Sequence, residues 1–247
     1  MHDIPIFGDL DAVPPRVGKL WLTGHKDHGS PDEGMGFFYR TLTDNPESFD
    51  DSQTGTGELR DYVLEHCSDP SPGFGSIIAA VIVYSNDGRP VPTDMADPAM
   101  GMIYMMAMDN FLAANEKTDA TNIQMLIGDT LALSPTQRDV AWQWSAMRYD
   151  CKSWLPNPEG RWITHVAVRP QEGWIHLVRF TYPYRLDAGV GYRAFVRFLY
   201  EWQTSVSRVA AGEDSIAPLA IPEEEEWGAF LSALEEAPTP EGLIVRR

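Results

Sequence analysis

Between Ser76 and Tyr84 the chain reads Ile77-Ile78-Ala79-Ala80-Val81-Ile82-Val83, apolar at every position. A run this short, apolar on both alternating faces, predicts a central strand covered on both sides. Asn86-Asp87-Gly88 then supplies hairpin-type turn residues, and Pro90 and Pro92 oppose a continuing central strand. Asp97-Pro98 predicts a helix start, with Asp as N-cap and Pro at the first helical position. From Ala99 to Leu112 only Gly101, Asp109 and Asn110 are neither apolar nor aromatic, so this helix is expected to be buried nearly all round.

After Asp119 the period changes from helical to alternating. Val140, Trp142, Trp144 and Ala146 share one parity, while Gln143, Ser145 and Met147 hold the other, as in a strand with one strongly apolar face. Trp162 to Arg169 and Trp174 to Tyr182 predict two further strands joined through Pro170-Gln171-Glu172-Gly173, a hairpin. Gly191 to Val209 predicts an amphipathic helix with Tyr192, Phe195, Val196, Leu199, Trp202 and Val206 on one face. On another face Arg197 and Glu201 stand four residues apart and can pair.

The two ends differ from this core. Residues 1–74 are rich in turn formers, including Pro14-Pro15, Gly29-Ser30-Pro31 and Asp44-Asn45-Pro46, with one modest helical stretch near Gly57 to Cys67. They predict a loop-rich acidic segment packed on a core of residues 75–212. Residues 213–247 predict an acidic tail with a short amphipathic helix, where Pro222 and four consecutive glutamates precede Trp227, Phe230, Leu231 and Leu234. The fold class expected is α+β, an antiparallel sheet packed against helices.

The order from 75 to 209, namely strand, long helix, three or more antiparallel strands and a final helix, resembles the PsbP-like fold of photosystem accessory proteins and DcrB-type bacterial proteins. The residues carrying it are Gly75 to Asp87, Arg138 to Tyr149 and Trp162 to Trp202. The resemblance covers 135 of 247 residues. It implies an antiparallel sheet with packed helices and an accessory or binding role, in some members as a chaperone for secreted effectors, with no shared catalytic set.

Charge narrows the partners. The chain has 19 basic and 36 acidic residues, a net charge of -17, which disfavours nucleic acid, whose phosphates require a basic excess. Residues 138–212 stand apart, with 10 basic against 6 acidic residues. No cationic segment followed by a long apolar run opens the chain, and no apolar stretch approaches the ~20 residues of a membrane span. Cytoplasmic residence is therefore expected, with Cys67 and Cys151 as reduced thiols.

The residues that could carry chemistry are few. No Gly-x-Ser-x-Gly elbow, phosphate loop or dinucleotide glycine pattern occurs, and no cofactor is expected. A hairpin turning about Gln171 and Glu172 sets 165 opposite 178 and 167 opposite 176. His165 and His176 then become diagonal neighbours on one sheet face, the only candidate metal pair, without a third ligand at suitable spacing. His25-Lys26-Asp27-His28 lies in a Gly- and Pro-rich setting and is expected as a polar surface loop.

Six of the ten methionines (Met95, Met100, Met102, Met105, Met106 and Met108) fall within fourteen residues. Flexible, polarisable thioethers suit a surface that adapts to varied apolar partners. Met102, Met105 and Met106, with Trp227, Phe230, Leu231 and Leu234 of the tail, are the candidate partner-binding residues. The function expected is a non-enzymatic protein-binding module: an accessory factor, adaptor, secretion-type chaperone or immunity-type protein for a partner that is basic or offers an apolar segment. The alternatives are a metal-dependent hydrolase using His165 and His176, and a structural component of a larger phage or secretion assembly.

Overall fold

The computed structural model describes residues 6–8, 12–18, 20–29, 34–40, 77–86, 88–92, 97–116, 120–133, 141–151, 160–184 and 188–213. Its strands are β1 (Arg16–Val17), β2 (Leu20–Asp27), β3 (Met35–Arg40), β4 (Ile78–Tyr84), β5 (Thr121–Ala132), β6 (Ala141–Asp150), β7 (Arg161–Gln171) and β8 (Trp174–Pro183). Two helices accompany them, α1 (Pro98–Glu116) and α2 (Ala188–Ala210). The strands form one sheet in the order β1-β2-β3-β4-β8-β7-β6-β5, with every neighbouring pair antiparallel. The class is α+β, as the sequence predicts.

Each helix covers a different face. Alternate residues Phe37, Tyr39, Val81, Trp142, Trp144, Val178 and Phe180 are buried with Phe195, Val196, Phe198, Leu199, Trp202 and Val206 of α2. The opposite parity, Met147, Tyr149, Trp162, Val166, Val168 and Ile175, packs with Met100, Ile103, Ala107, Met108 and Phe111 of α1. Side chains alternate across a strand, so the sheet lies between the two helices. Burial of each large apolar side chain contributes about 1.5–3 kcal/mol.

The predicted elements of the core are present. β4 lies between β3 and β8. Asp97 caps α1, its side chain accepting from the Ala99 N–H at 2.8 Å and its carbonyl from Met100 at 2.9 Å. Along α2 the predicted apolar face is buried except at Tyr192, which is partly buried, and Arg197 pairs with Glu201 at 2.7 Å.

Two features differ from expectation. The loop-rich segment predicted for 1–74 contributes β1, β2 and β3 to the same sheet. Phe37 and Tyr39 anchor these strands on α2, with ring centroids 6.0 Å and 6.2 Å from Trp202, and Tyr39 lies 5.5 Å from Phe198. The predicted helix near Gly57 to Cys67, the tail helix and Cys67 lie outside the described residues. Finally, α1 is buried on one side only, because a single sheet face is available to it.

Candidate functional site

The hairpin register separates the two histidines. β7 runs through Pro170 to Gln171, and the turn is Glu172-Gly173, with φ of 50° and 76°. Two consecutive positive φ values fit the type I′ geometry that joins twisted antiparallel strands. His165 consequently faces Phe180, Ala167 faces Val178, and Arg169 faces His176. The expected pairings of 165 with 178 and 167 with 176 are therefore corrected by two residues. The imidazoles share a face, but four strand positions, about 13 Å at the usual rise, lie between them along the sheet.

Each imidazole is enclosed in its own polar contact set. Trp144 Nε1 donates to His165 Nδ1 at 3.0 Å, and His165 Nε2 meets the Tyr182 hydroxyl at 3.0 Å. The His165 ring stacks on Phe195 with centroids 4.4 Å apart. In parallel, Trp202 Nε1 donates to His176 Nδ1 at 3.1 Å, and His176 Nε2 donates to the Gln171 carbonyl at 3.2 Å. Since each Nδ1 accepts from an indole N–H, both rings are neutral with the proton on Nε2. Burial lowers both pKa values to about 3; at His176 the Gln171 bond opposes that shift and the Arg169 charge adds to it. Neither ring offers a lone pair to a ligand, and the two do not converge.

A buried polar network surrounds the second histidine. Gln203 Oε1 accepts from both Arg169 Nη1 and Trp142 Nε1, the latter at 3.1 Å. Gln171 Nε2 donates to the Gln203 carbonyl at 2.8 Å and to Ser207 Oγ at 3.0 Å. Burial, opposed by Glu172, lowers the Arg169 pKa to about 10, so the guanidinium remains charged at neutral pH. The guanidinium lies over the Trp142 ring, 5.8 Å from its centroid, where the ring quadrupole attracts the charge. These contacts fasten α2 to the turn end of the β7–β8 hairpin. Their geometry is structural, although Gln171 Oε1 is buried without a hydrogen-bond partner.

His25, Lys26 and Asp27 belong to β2 and pair with Phe37, Gly36 and Met35, so the expected polar loop is a strand with an exposed end. Among the described residues, no group of three or more His, Cys, Asp or Glu is placed to hold a metal ion. An open depression of about 510 Å³ is lined by Asn122, Ile123, Gln124, Arg148, Asp150 and Arg161. Its polar groups are engaged with each other: Asn122 donates to Asp150 at 2.7 Å, Arg148 to Gln124 at 2.6 Å, and Arg161 lies 3.8 Å from Asp150.

The methionines define a different surface. Met100, Ile103, Ala107, Met108 and Phe111 face the sheet, whereas Met102, Met105 and Met106 are 60%, 59% and 64% exposed on the outer side of α1. Asp109 and Leu112 continue that outer side, and both are exposed. Sequence reasoning did not identify Met125 of β5, which is 58% exposed. It pairs with Met147, which packs under α1, so Met125 is on the α1 face of the sheet. Tyr104 of α1 bonds Ser145 of β6, and Ser145 is opposite Gly128 of β5. A Cβ at Gly128 would lie 2.9 Å from the Ser145 hydroxyl, so glycine permits this close approach. Large apolar side chains exposed together on one face are the feature by which interaction surfaces are recognised. Trp227, Phe230, Leu231 and Leu234 lie outside the described residues.

No helix among the described residues is long and apolar enough to cross a membrane. No family model matches the chain, and no curated protein matches it. Among solved structures, the chain is similar to the Ran-binding protein Mog1p of Saccharomyces cerevisiae at 12% identity, with 79% of this chain and 89% of that chain covered and a TM-score of 0.32; at that score the superposition carries no argument about function.

Proposed function

We propose that this chain is a non-enzymatic protein-binding module that takes an apolar segment of a basic partner against the outer face of α1. The observation that carries the reading is the exposure of Met102, Met105 and Met106 together on a helix whose other side is buried. Thioether side chains adapt to differently shaped apolar groups at small conformational cost, which suits an adaptor, a secretion-type chaperone or an immunity-type protein. The net charge of -17 would steer a basic partner and make association faster at low ionic strength. The order β4, α1, four antiparallel strands, α2 supports placing the core in the PsbP-like group. The metal-dependent hydrolase alternative draws no support from His165 and His176, whose nitrogens are already engaged.

Affinity capture from the native host, followed by a salt titration and a repeat with Met102, Met105 and Met106 all replaced by Lys, tests this reading. A specific basic protein that dissociates with rising salt and is lost from the triple variant is the expected result. Retention of the same protein by the triple variant would refute the assignment of α1 as the contact surface.

A further inference from the structure

The sulfur atoms of the described residues fall into two sets. Met35, Met100, Met108 and Met147 are buried, as is Cys151, whereas Met102, Met105, Met106 and Met125 are each more than half exposed. Three of the exposed four lie on one strip of α1, because residues three and four apart share a helix face. The helix is held in that orientation at three points. Asp97 caps its start, Tyr104 bonds Ser145 of β6, and Phe111 stands edge-on to Tyr149 with ring centroids 6.3 Å apart. Long helical side chains lean toward the helix N-terminus, so Met105 lies over the turn that holds Gly101. Gly101 is exposed, and a Cβ there would meet nothing within 4 Å. No side chain at that position shields the Met105 thioether.

We propose that Met102, Met105 and Met106 form a reversible oxidation site, at which a hydroperoxide converts each thioether to a sulfoxide and switches off the apolar surface of α1. In the forward step the sulfur lone pair attacks the terminal peroxide oxygen. The O–O bond breaks as the S–O bond forms, and the proton of the attacked hydroxyl passes to the leaving oxygen. Sulfur loses two electrons, and the peroxide is reduced to water or an alcohol. In the reverse step a dithiol supplies two electrons and two protons, giving back the thioether with water and a disulfide. A sulfoxide is polar where the thioether was apolar, so an apolar segment can cover it only by leaving the S=O group unpaired. The same reaction at Met100 or Met108 would first require α1 to leave Val168, Ile175 and Trp162. The buried set therefore keeps the fold while the outer set responds. Cys151 is buried too, so its thiol does not intercept the oxidant first. The inference rests on the reading of α1 as a binding surface and adds the regulation of that surface.

The test exposes the full chain to limiting hydrogen peroxide and locates oxygen addition by peptide mapping. The product is then titrated with a synthetic helical peptide carrying leucine on one face and lysine on the other. Oxygen should appear on Met102, Met105 and Met106 about tenfold faster than on Met100 and Met108, with the thermal midpoint unchanged. Peptide affinity should fall about tenfold and return after treatment with methionine sulfoxide reductases and a dithiol. With Met102, Met105 and Met106 all replaced by Leu, affinity should withstand peroxide even though Met125 is still oxidised. Oxidation of Met100 or Met108 as fast as the outer three would overturn the site, and so would a loss of affinity in the leucine variant. Oxidation of the outer three with full peptide affinity retained would overturn the switch and keep the binding-module reading. A reduced chain that binds no peptide would count against both.

Discussion

Trp202 of α2 donates its indole N–H to Nδ1 of His176 on β8 at 3.1 Å, joining the helix to the sheet through two fully buried rings. Replacing Trp202 by Phe removes the donor, leaves a buried imidazole acceptor unpaired, and opens space beside Phe37 and Tyr39. The expected loss is about 2–4 kcal/mol of unfolding free energy, combining the missing bond with the cavity. Urea denaturation measures it. A change under 1 kcal/mol would show that the contact is incidental to stability.

The two indole–imidazole contacts also set a pH dependence. In the unfolded chain each histidine takes up a proton near pH 6.5, whereas in the folded protein each stays neutral down to about 3. The unfolded state thus binds more protons in that interval. Stability is fully present above pH 6.5 and is lost as pH falls below it. Between pH 6.5 and pH 5 each histidine should cost about 1.5 kcal/mol, or about 3 kcal/mol for the pair. The His176→Gln variant should lose about half of that pH dependence in chemical denaturation at several pH values. An unchanged slope would mean that His176 does not carry it.

Gly191 sits where α2 meets the Tyr182 ring. A Cβ there would lie 2.4 Å from two ring atoms, a distance no side chain tolerates without displacement. Tyr182 cannot shift freely because its hydroxyl holds His165 Nε2. Gly191→Ala should therefore destabilise by about 1–3 kcal/mol, despite alanine's better helix propensity. If the variant were more stable than the parent, helix propensity would outweigh the contact. Thermal or urea unfolding distinguishes the two signs.

Legibility in the sequence followed how strongly each segment's pattern constrains its surroundings. Val81 and Val83, or Phe195, Leu199 and Trp202, announce their elements because their period and apolarity agree. β2 and β3 did not stand out, because Gly34, Gly36 and the charged end at Lys26-Asp27 interrupt short runs whose apolar residues matter only once α2 is above them. In α1 the composition is apolar all round, so sequence could not say which side the sheet covers; contacts select Met100, Ile103 and Met108 for burial and leave Met102, Met105 and Met106 outside. The histidine geometry depended on one turn. Including Pro170 and Gln171 in the strand moves His176 from opposite Ala167 to opposite Arg169 and dissolves the apparent pair.

Glu201 links the β1 edge of the sheet to α2 through both carboxylate oxygens, one accepting the Gly18 N–H and the other receiving Arg197 Nε at 2.7 Å. Arg197 and Glu201 are neighbours on one helical turn, so their pairing alone contributes only a few tenths of a kcal/mol. The backbone bond matters more, because without it the Gly18 N–H loses its carboxylate partner between β1 and β2. Glu201→Ala should consequently lower unfolding free energy by about 1–3 kcal/mol and accelerate amide exchange at Val17 and Gly18. Arg197→Ala should cost less than 1 kcal/mol and leave that exchange unchanged. Equal losses in the two variants would place the energy in the ion pair, and the carboxylate would no longer explain how β1 is held.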